Sequence, residues 1–253
     1  MLSELSAAAA LLAVAAILVG SVLQRLSGTG VGLVVPPVLS LLLGPVAGVL
    51  MTNATTTVSG FTIMLSVRER VQWRRAGIVI VSALPGAVLG ALLVLVLPAA
   101  WLQIGIGALV LFALGLTVAT PRLPHVTSPA ALPVAGVIGG LLNTTAGVAA
   151  PAMVIVSRLI RWEQRAFAAS LQPIFMSMGL MSVIAKLALG ATGLPSLPPW
   201  WVIPLVVALV LGGVWIGARL ESRVPATRAR TLALVIAGLG GVAAVVKGIL
   251  TLV

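Results

Sequence analysis

Apolar runs fill this chain from residue 6 to residue 251, parted only by short connectors, which excludes a water-soluble fold. They lie at 6–26, 31–43, 46–66, 76–97, 100–119, 131–143, 147–157, 166–189, 200–218 and 229–251. About 20 such residues suffice to cross a bilayer core. Only 8% of the 253 residues are charged, against roughly 25% in a globular domain. In lipid a helix closes its own backbone hydrogen bonds, so the expected class is an all-α polytopic membrane protein. Glu4, with no Lys or Arg, precedes the first run, which therefore reads as a retained helix rather than a cleaved signal.

Two runs are interrupted by Gly, Thr, Ser and Asn: LSGTGVGLVVPP (Leu26 to Pro37) and LLNTTAGVAAP (Leu141 to Pro151). A broken helix leaves backbone N–H and C=O groups unpaired, which is tolerated at membrane depth only inside protein or along a cavity. Each break is followed by a polar-spotted helix, MTNATTTVSG from Met51 and SLQPIFMSMG from Ser170. The Pro-rich stretch TPRLPHVTSPA divides the chain into a first repeat at 1–119, a connector at 120–130 and a second repeat at 131–253. Setting Gly30 on Gly147 brings Gly60 within two positions of Gly179 and Asn53 near Gln172. Matching Gly/Pro-interrupted segments in two halves are the sequence mark of a transporter's substrate site.

Charge decides the expected topology. Arg68, Arg70, Arg74 and Arg75 lie between the 46–66 and 76–97 runs of the first repeat, Arg122 in the connector. Arg158, Arg161 and Arg165 follow the second break, and Arg219, Arg223, Arg228 and Arg230 lie between the last two runs. If each broken segment is a hairpin that leaves on the side it entered, all of these share one face. The positive-inside rule makes that face cytoplasmic, and the halves become inverted repeats, each a broken-helix hairpin plus three transmembrane helices. Lys186 and Lys247 fall near the opposite face, where both are expected to snorkel from helix ends. Trp73, Trp101, Trp162, Trp200, Trp201 and Trp215 read as an interfacial belt. The net charge of +11 thus reflects orientation in a bilayer rather than a nucleic-acid partner.

Hairpins entering from opposite faces aim two helix N-termini at one central cavity, an arrangement that favours an anion. Gly28, Gly30, Gly32 and Gly147 would let backbone approach the ligand. Thr29, Asn143, Thr144 and Thr145 would donate side-chain hydrogen bonds, and Asn53, Thr56 and Gln172 would complete the wall. Arg25 either ends at the cytoplasmic surface or, with a shallower hairpin, lies by the cavity. His125 reads as solvated in its Pro-rich loop. The chain has no Cys and no Asp, and its four Glu (Glu4, Glu69, Glu163, Glu221) are terminal or in charged loops. That leaves no expected proton relay within a span, no metal site, no cofactor and no acid–base enzyme.

QRLSGTGVGLVVPPVLSLLLGP, the basic run ending in VQWRR, and GVIGGLLNTTAGVAAPAMVI together resemble the TauE/SafE sulfite-exporter family of bacterial transporters. Many members carry Gly-Gly-Gly and Gly-Gly-Pro where this chain reads GTGVG and GVAAP. The resemblance therefore implies a substrate class: sulfite, organosulfonates or other small organic anions crossing the bacterial inner membrane. The expected function is a secondary transporter working in export; the alternatives are an uptake permease and an anion channel. The expected partners are the small anion, the lipid bilayer and, in a homodimer, a second copy.

Overall fold

The computed structural model describes residues 6–28, 30–119, 125–192 and 201–252. Glu4, Thr29, Arg122 and Trp200 lie outside them, with residues 120–124 of the connector. The described residues form helices α1 (Ala7–Ser27), α2 (Gly30–Leu43), α3 (Pro45–Val67), α4 (Trp73–Val96) and α5 (Ala99–Ala119), then α6 (Ala131–Ala146), α7 (Ala150–Leu159), α8 (Gln164–Ala188), α9 (Val202–Leu220) and α10 (Ala226–Leu250). Helices α1, α4, α5, α8, α9 and α10 are long and apolar enough to cross a membrane. Helix α3 has the length, 23 residues, but its Asn53 and threonines make it more polar. Large apolar side chains face outward, as Val81 (73% exposed) and Leu239 (71%) do, which suits lipid and not water.

The two interruptions form sharp turns. Gly28 (φ 85°) ends α1, and its N–H donates to the Gln24 carbonyl at 2.8 Å. Gly147 (φ 74°) ends α6, and its N–H donates to the Asn143 carbonyl at 2.9 Å. Both are left-handed caps, a conformation that glycine adopts without a Cβ penalty. The chain then folds back. A Cβ at Gly20 would meet Val35 and Val31 of α2, and one at Gly139 would meet Met153 of α7. The return limbs α2 and α7 have 14 and 10 residues, spanning about 21 Å and 15 Å, so neither crosses a core of about 30 Å.

Small residues let the other helices touch backbone to backbone, the usual basis of packing in lipid. Helix α4 lies on α6 through Gly86 against Val137 and Leu141, and through Gly90 against Leu141 and Thr144. Helix α9 lies on α1 through Gly213 against Leu18 and Val22, and through Gly217 against Val22 and Arg25. These two contacts are the same contact with the halves exchanged. Helices α5 and α10 meet reciprocally at Gly107 and Gly241. Helices α3 and α8 also cross reciprocally: Gly60 abuts the Gln172 carbonyl, and Gly179 abuts the Asn53 carbonyl. One constant step along the chain carries Gly20 to Gly139, Gly28 to Gly147, Asn53 to Gln172 and Gly60 to Gly179. The equivalent of Gly147 is thus Gly28, not the Gly30 of the sequence alignment.

The arginine-bearing turns collect at one end. Gln72 N–H donates to Ser170 Oγ, Arg75 stacks over Trp162, and Arg25 pairs with Glu221 at 2.8 Å. Trp73, Trp101, Trp201 and Trp215 are exposed, as a belt requires, whereas Trp162 is buried against Phe167 and belongs to the core. Lys247 reaches the end of α2, donating to the Leu41 carbonyl at 2.8 Å. Lys186 differs from expectation. It does not snorkel but is fully buried in α8, at 0% exposure.

Candidate functional site

The first tip opens onto the arginine-bearing end. A cavity of about 250 Å³ there is bounded by Arg25, Arg70 and Arg165, with Gly28, Gln24 and Gln172. Arg25 sits at the charged end, paired with Glu221, and borders this cavity. Three guanidiniums against one carboxylate leave the cavity net positive, which concentrates anions. Buried Gln24 and Gln172 join here, Gln24 Nε2 donating to Gln172 Oε1 at 3.2 Å. Gln172 Nε2 lies 3.5 Å from the Gly28 carbonyl. Gly28 and Gly32 have open space where a side chain would be, while a Cβ at Gly30 would strike the backbone of Leu23 and Gln24. Gly30 therefore closes the hairpin rather than facing a ligand.

The second tip is deeper. Gly147 lies against Pro36 of α2 and Thr52 of α3. Asn143 Nδ2 donates to Asn53 Oδ1 at 3.0 Å, and Asn53 Nδ2 donates to the Asn143 carbonyl at 3.2 Å and to Ser182 Oγ at 2.6 Å. All three residues are buried. This is the exchanged counterpart of the Gln24–Gln172 contact. In each, the residue that accepts the tip glycine's N–H joins its side-chain amide to an amide on the crossing helix of the other half. We call these two contacts the amide latches.

The expected site residues thus form two groups, not one ring. Arg25, Gly28 and Gln172 meet at the first tip; Asn53, Asn143, Thr144 and Gly147 meet at the second. Thr56 and Thr145 donate their hydroxyls to the carbonyls of Thr52 and Leu141 in their own helices, at 2.9 Å each. A hydroxyl has one donor, so neither offers a hydrogen to an anion in this arrangement. Thr144 is different: it is buried and its Oγ1 has no partner among the described residues. Gln24 and Ser182 join these contacts without having been expected from sequence. The signal for Gln24 was an amide one turn ahead of a breaking glycine, repeated by Asn143. For Ser182 it was a serine in an apolar stretch, four residues ahead of Lys186.

Among the described residues no group of three His, Cys, Asp or Glu is placed to hold a metal ion. Two part-span hairpins packed among helices long enough to span, each joined at its tip by a buried amide to the opposite half, define a polytopic helical transporter. The family model described as Sulfite exporter TauE/SafE matches residues 12–244, nearly the whole chain, and the protein belongs to that family. No curated protein and no solved structure matches it.

Proposed function

We propose that the protein is a secondary carrier exporting small sulfur-containing oxyanions, sulfite or an organosulfonate, across the bacterial inner membrane. The observation that carries this reading is the pair of amide latches, one at each hairpin tip, related by exchange of the halves. A carrier needs two barriers that open in turn, and inverted repeats supply two versions of one barrier. In this reading the arginine-bearing end is cytoplasmic and its cavity gathers the anion. The anion then displaces Gln24 from Gln172 and accepts hydrogen bonds from the freed amides. It passes to the second tip, where Asn53 and Asn143 serve the same way. Amides suit such a passage, since each offers two N–H donors without a competing fixed charge.

Purified protein in liposomes tests the reading. Preloaded unlabelled sulfite or an alkyl sulfonate is expected to drive transient uptake of labelled anion against its gradient. A continuous pore gives no such counterflow, so its absence with robust flux identifies a channel. Accumulation driven by an imposed proton or Na⁺ gradient identifies an uptake permease. Flux of none of the oxyanions tested overturns the substrate class.

A further inference from the structure

We infer that Lys186, helped by Thr144, is the cationic anchor for the transported anion at the second tip. The inference deepens the carrier reading above and rests on it. Lys186 is fully buried, and its Nζ has no hydrogen-bond partner among the described residues. An intramembrane ammonium without a partner is costly, and residues of this kind mark ligand pathways.

The packing shows where it stands. A Cβ at Gly139 of α6 would meet Met178 of α8, and one turn on Asn53 bridges the Asn143 carbonyl to Ser182 Oγ. Helices α6 and α8 therefore advance side by side, residue 139 beside 178 and 143 beside 182. Lys186, one turn after Ser182 on the same face, is level with the turn that follows Asn143. Thr144 belongs to that turn, and it is the other fully buried side chain of the second tip whose polar atom is unpartnered. A cation and a hydroxyl, both desolvated, offer donors to an oxyanion and nothing to a cation except the hydroxyl oxygen.

Among the described residues no carboxylate supplies the missing charge. Helix α8 packs on α3, α4, α6 and the turn Arg68–Arg70. The sequences of α3 and α6 carry no charge, and α4 carries only Arg74 and Arg75 in its first turn. Glu69, Glu163 and Glu221 all lie at the other end of α8, with Arg165. Residues 165 and 186 are about 30 Å apart along the helix. The partner that fits is the substrate itself, a tetrahedral or pyramidal oxyanion with several acceptors. The two halves then differ in their parts. Arginines at the open end collect the anion, and one lysine holds it beyond the latches.

Sulfite titration of the full chain in nanodiscs tests this. Lys186→Met keeps length and removes charge; it is expected to weaken sulfite binding by about 10- to 100-fold, the range for a hydrogen bond to a charged group. The variant is expected to unfold at a temperature equal to or above that of the parent, since an apolar chain replaces a buried charge. Lys186→Arg is expected to retain part of the affinity, and Thr144→Val to lose several-fold. Equal affinity in parent and Lys186→Met overturns the inference while leaving the carrier reading intact. Absence of sulfite and sulfonate binding in the parent overturns the carrier reading instead. If Lys186→Met does not fold, the unaltered residue reports directly. The chain has two lysines, so ¹³C-lysine labelling of Lys247→Arg leaves one side-chain signal. Saturating sulfite is expected to shift that Lys186 signal, and an unmoved signal overturns the inference.

Discussion

Single residues at the tips have separable roles. Asn53→Ala removes both hydrogen bonds that its Nδ2 donates and strands Asn143 Nδ2 in a buried site. Stranding one buried polar group costs about 1–3 kcal/mol, so the variant is expected to melt several degrees lower in a thermal scan. Gly30→Val is expected to fail earlier. Its side chain would enter the α1 backbone at Leu23 and Gln24, so the protein should aggregate on size exclusion rather than fold with weakened binding. Gly28→Ala meets no atom but takes a residue with a Cβ to φ 85°, at about 1–2 kcal/mol. Glu163 shows how pH enters. Its carboxylate caps α8, and the N–H groups of Ala166 and then Arg165 hold its pKa below the ordinary range. The cap is therefore present above the unfolded-state value and is lost as pH falls through the folded one. Glu163→Ala is expected to lower the melting temperature at pH 7, and that difference is expected to shrink at pH 3. These roles were unevenly legible. Asn53, Asn143 and Gln172 stood out because amides are rare in apolar helices. The engagement of Thr56 and Thr145 did not, because a threonine's bond to the carbonyl four residues back leaves no trace in sequence.

At the scale of elements, the hairpins were readable because breaking a helix in lipid leaves a compositional mark. Their register was not. Aligning Gly30 with Gly147 matched glycines of unlike purpose, one closing an inter-helix contact and the other forming a left-handed cap. The pairing of helices was hidden for the same reason, since small residues recur throughout and only tertiary contact shows which ones meet. Those contacts make a prediction. Gly140 lies against the backbone of Ala83, and Gly86 against that of Val137, so Gly140→Leu or Gly86→Leu is expected to part α4 from α6. Gly77 has open space at its Cβ, and Gly77→Leu is expected to be tolerated. Comparing the melting temperatures of the three variants checks this.

For the whole molecule, the gathering of arginines at one end sets the expected orientation. The chain has no Cys, so single cysteines can be introduced one at a time without background. In intact cells, an impermeant thiol reagent is expected to reach position 43 but not positions 70, 161 or 223. Labelling of 43 and 161 from the same side would remove the proposed topology. Exit of one negative charge is favoured by about 2.3 kcal/mol per 100 mV of inside-negative potential. Anion efflux from proteoliposomes is therefore expected to speed up under such a potential and entry to slow.

The unequal strength of the two amide latches has a kinetic consequence. The first is joined by the Gln24–Gln172 bond and a long one, 3.5 Å, from Gln172 Nε2 to the Gly28 carbonyl; the second has the reciprocal Asn53–Asn143 pair and the Ser182 bond besides. In the proposed carrier, at about 1 kcal/mol net for each bond, a surplus of one or two is expected to make the arginine-bearing end the easier to open by roughly 5- to 30-fold. An idle molecule then spends most of its open time turned toward that side. Detailed balance forbids this bias from altering the final distribution of anion, which only gradient and voltage determine. In the proposed carrier the bias falls instead on equilibrium binding, where an anion offered from the arginine-bearing side half-fills the protein at a lower concentration than one offered from the other.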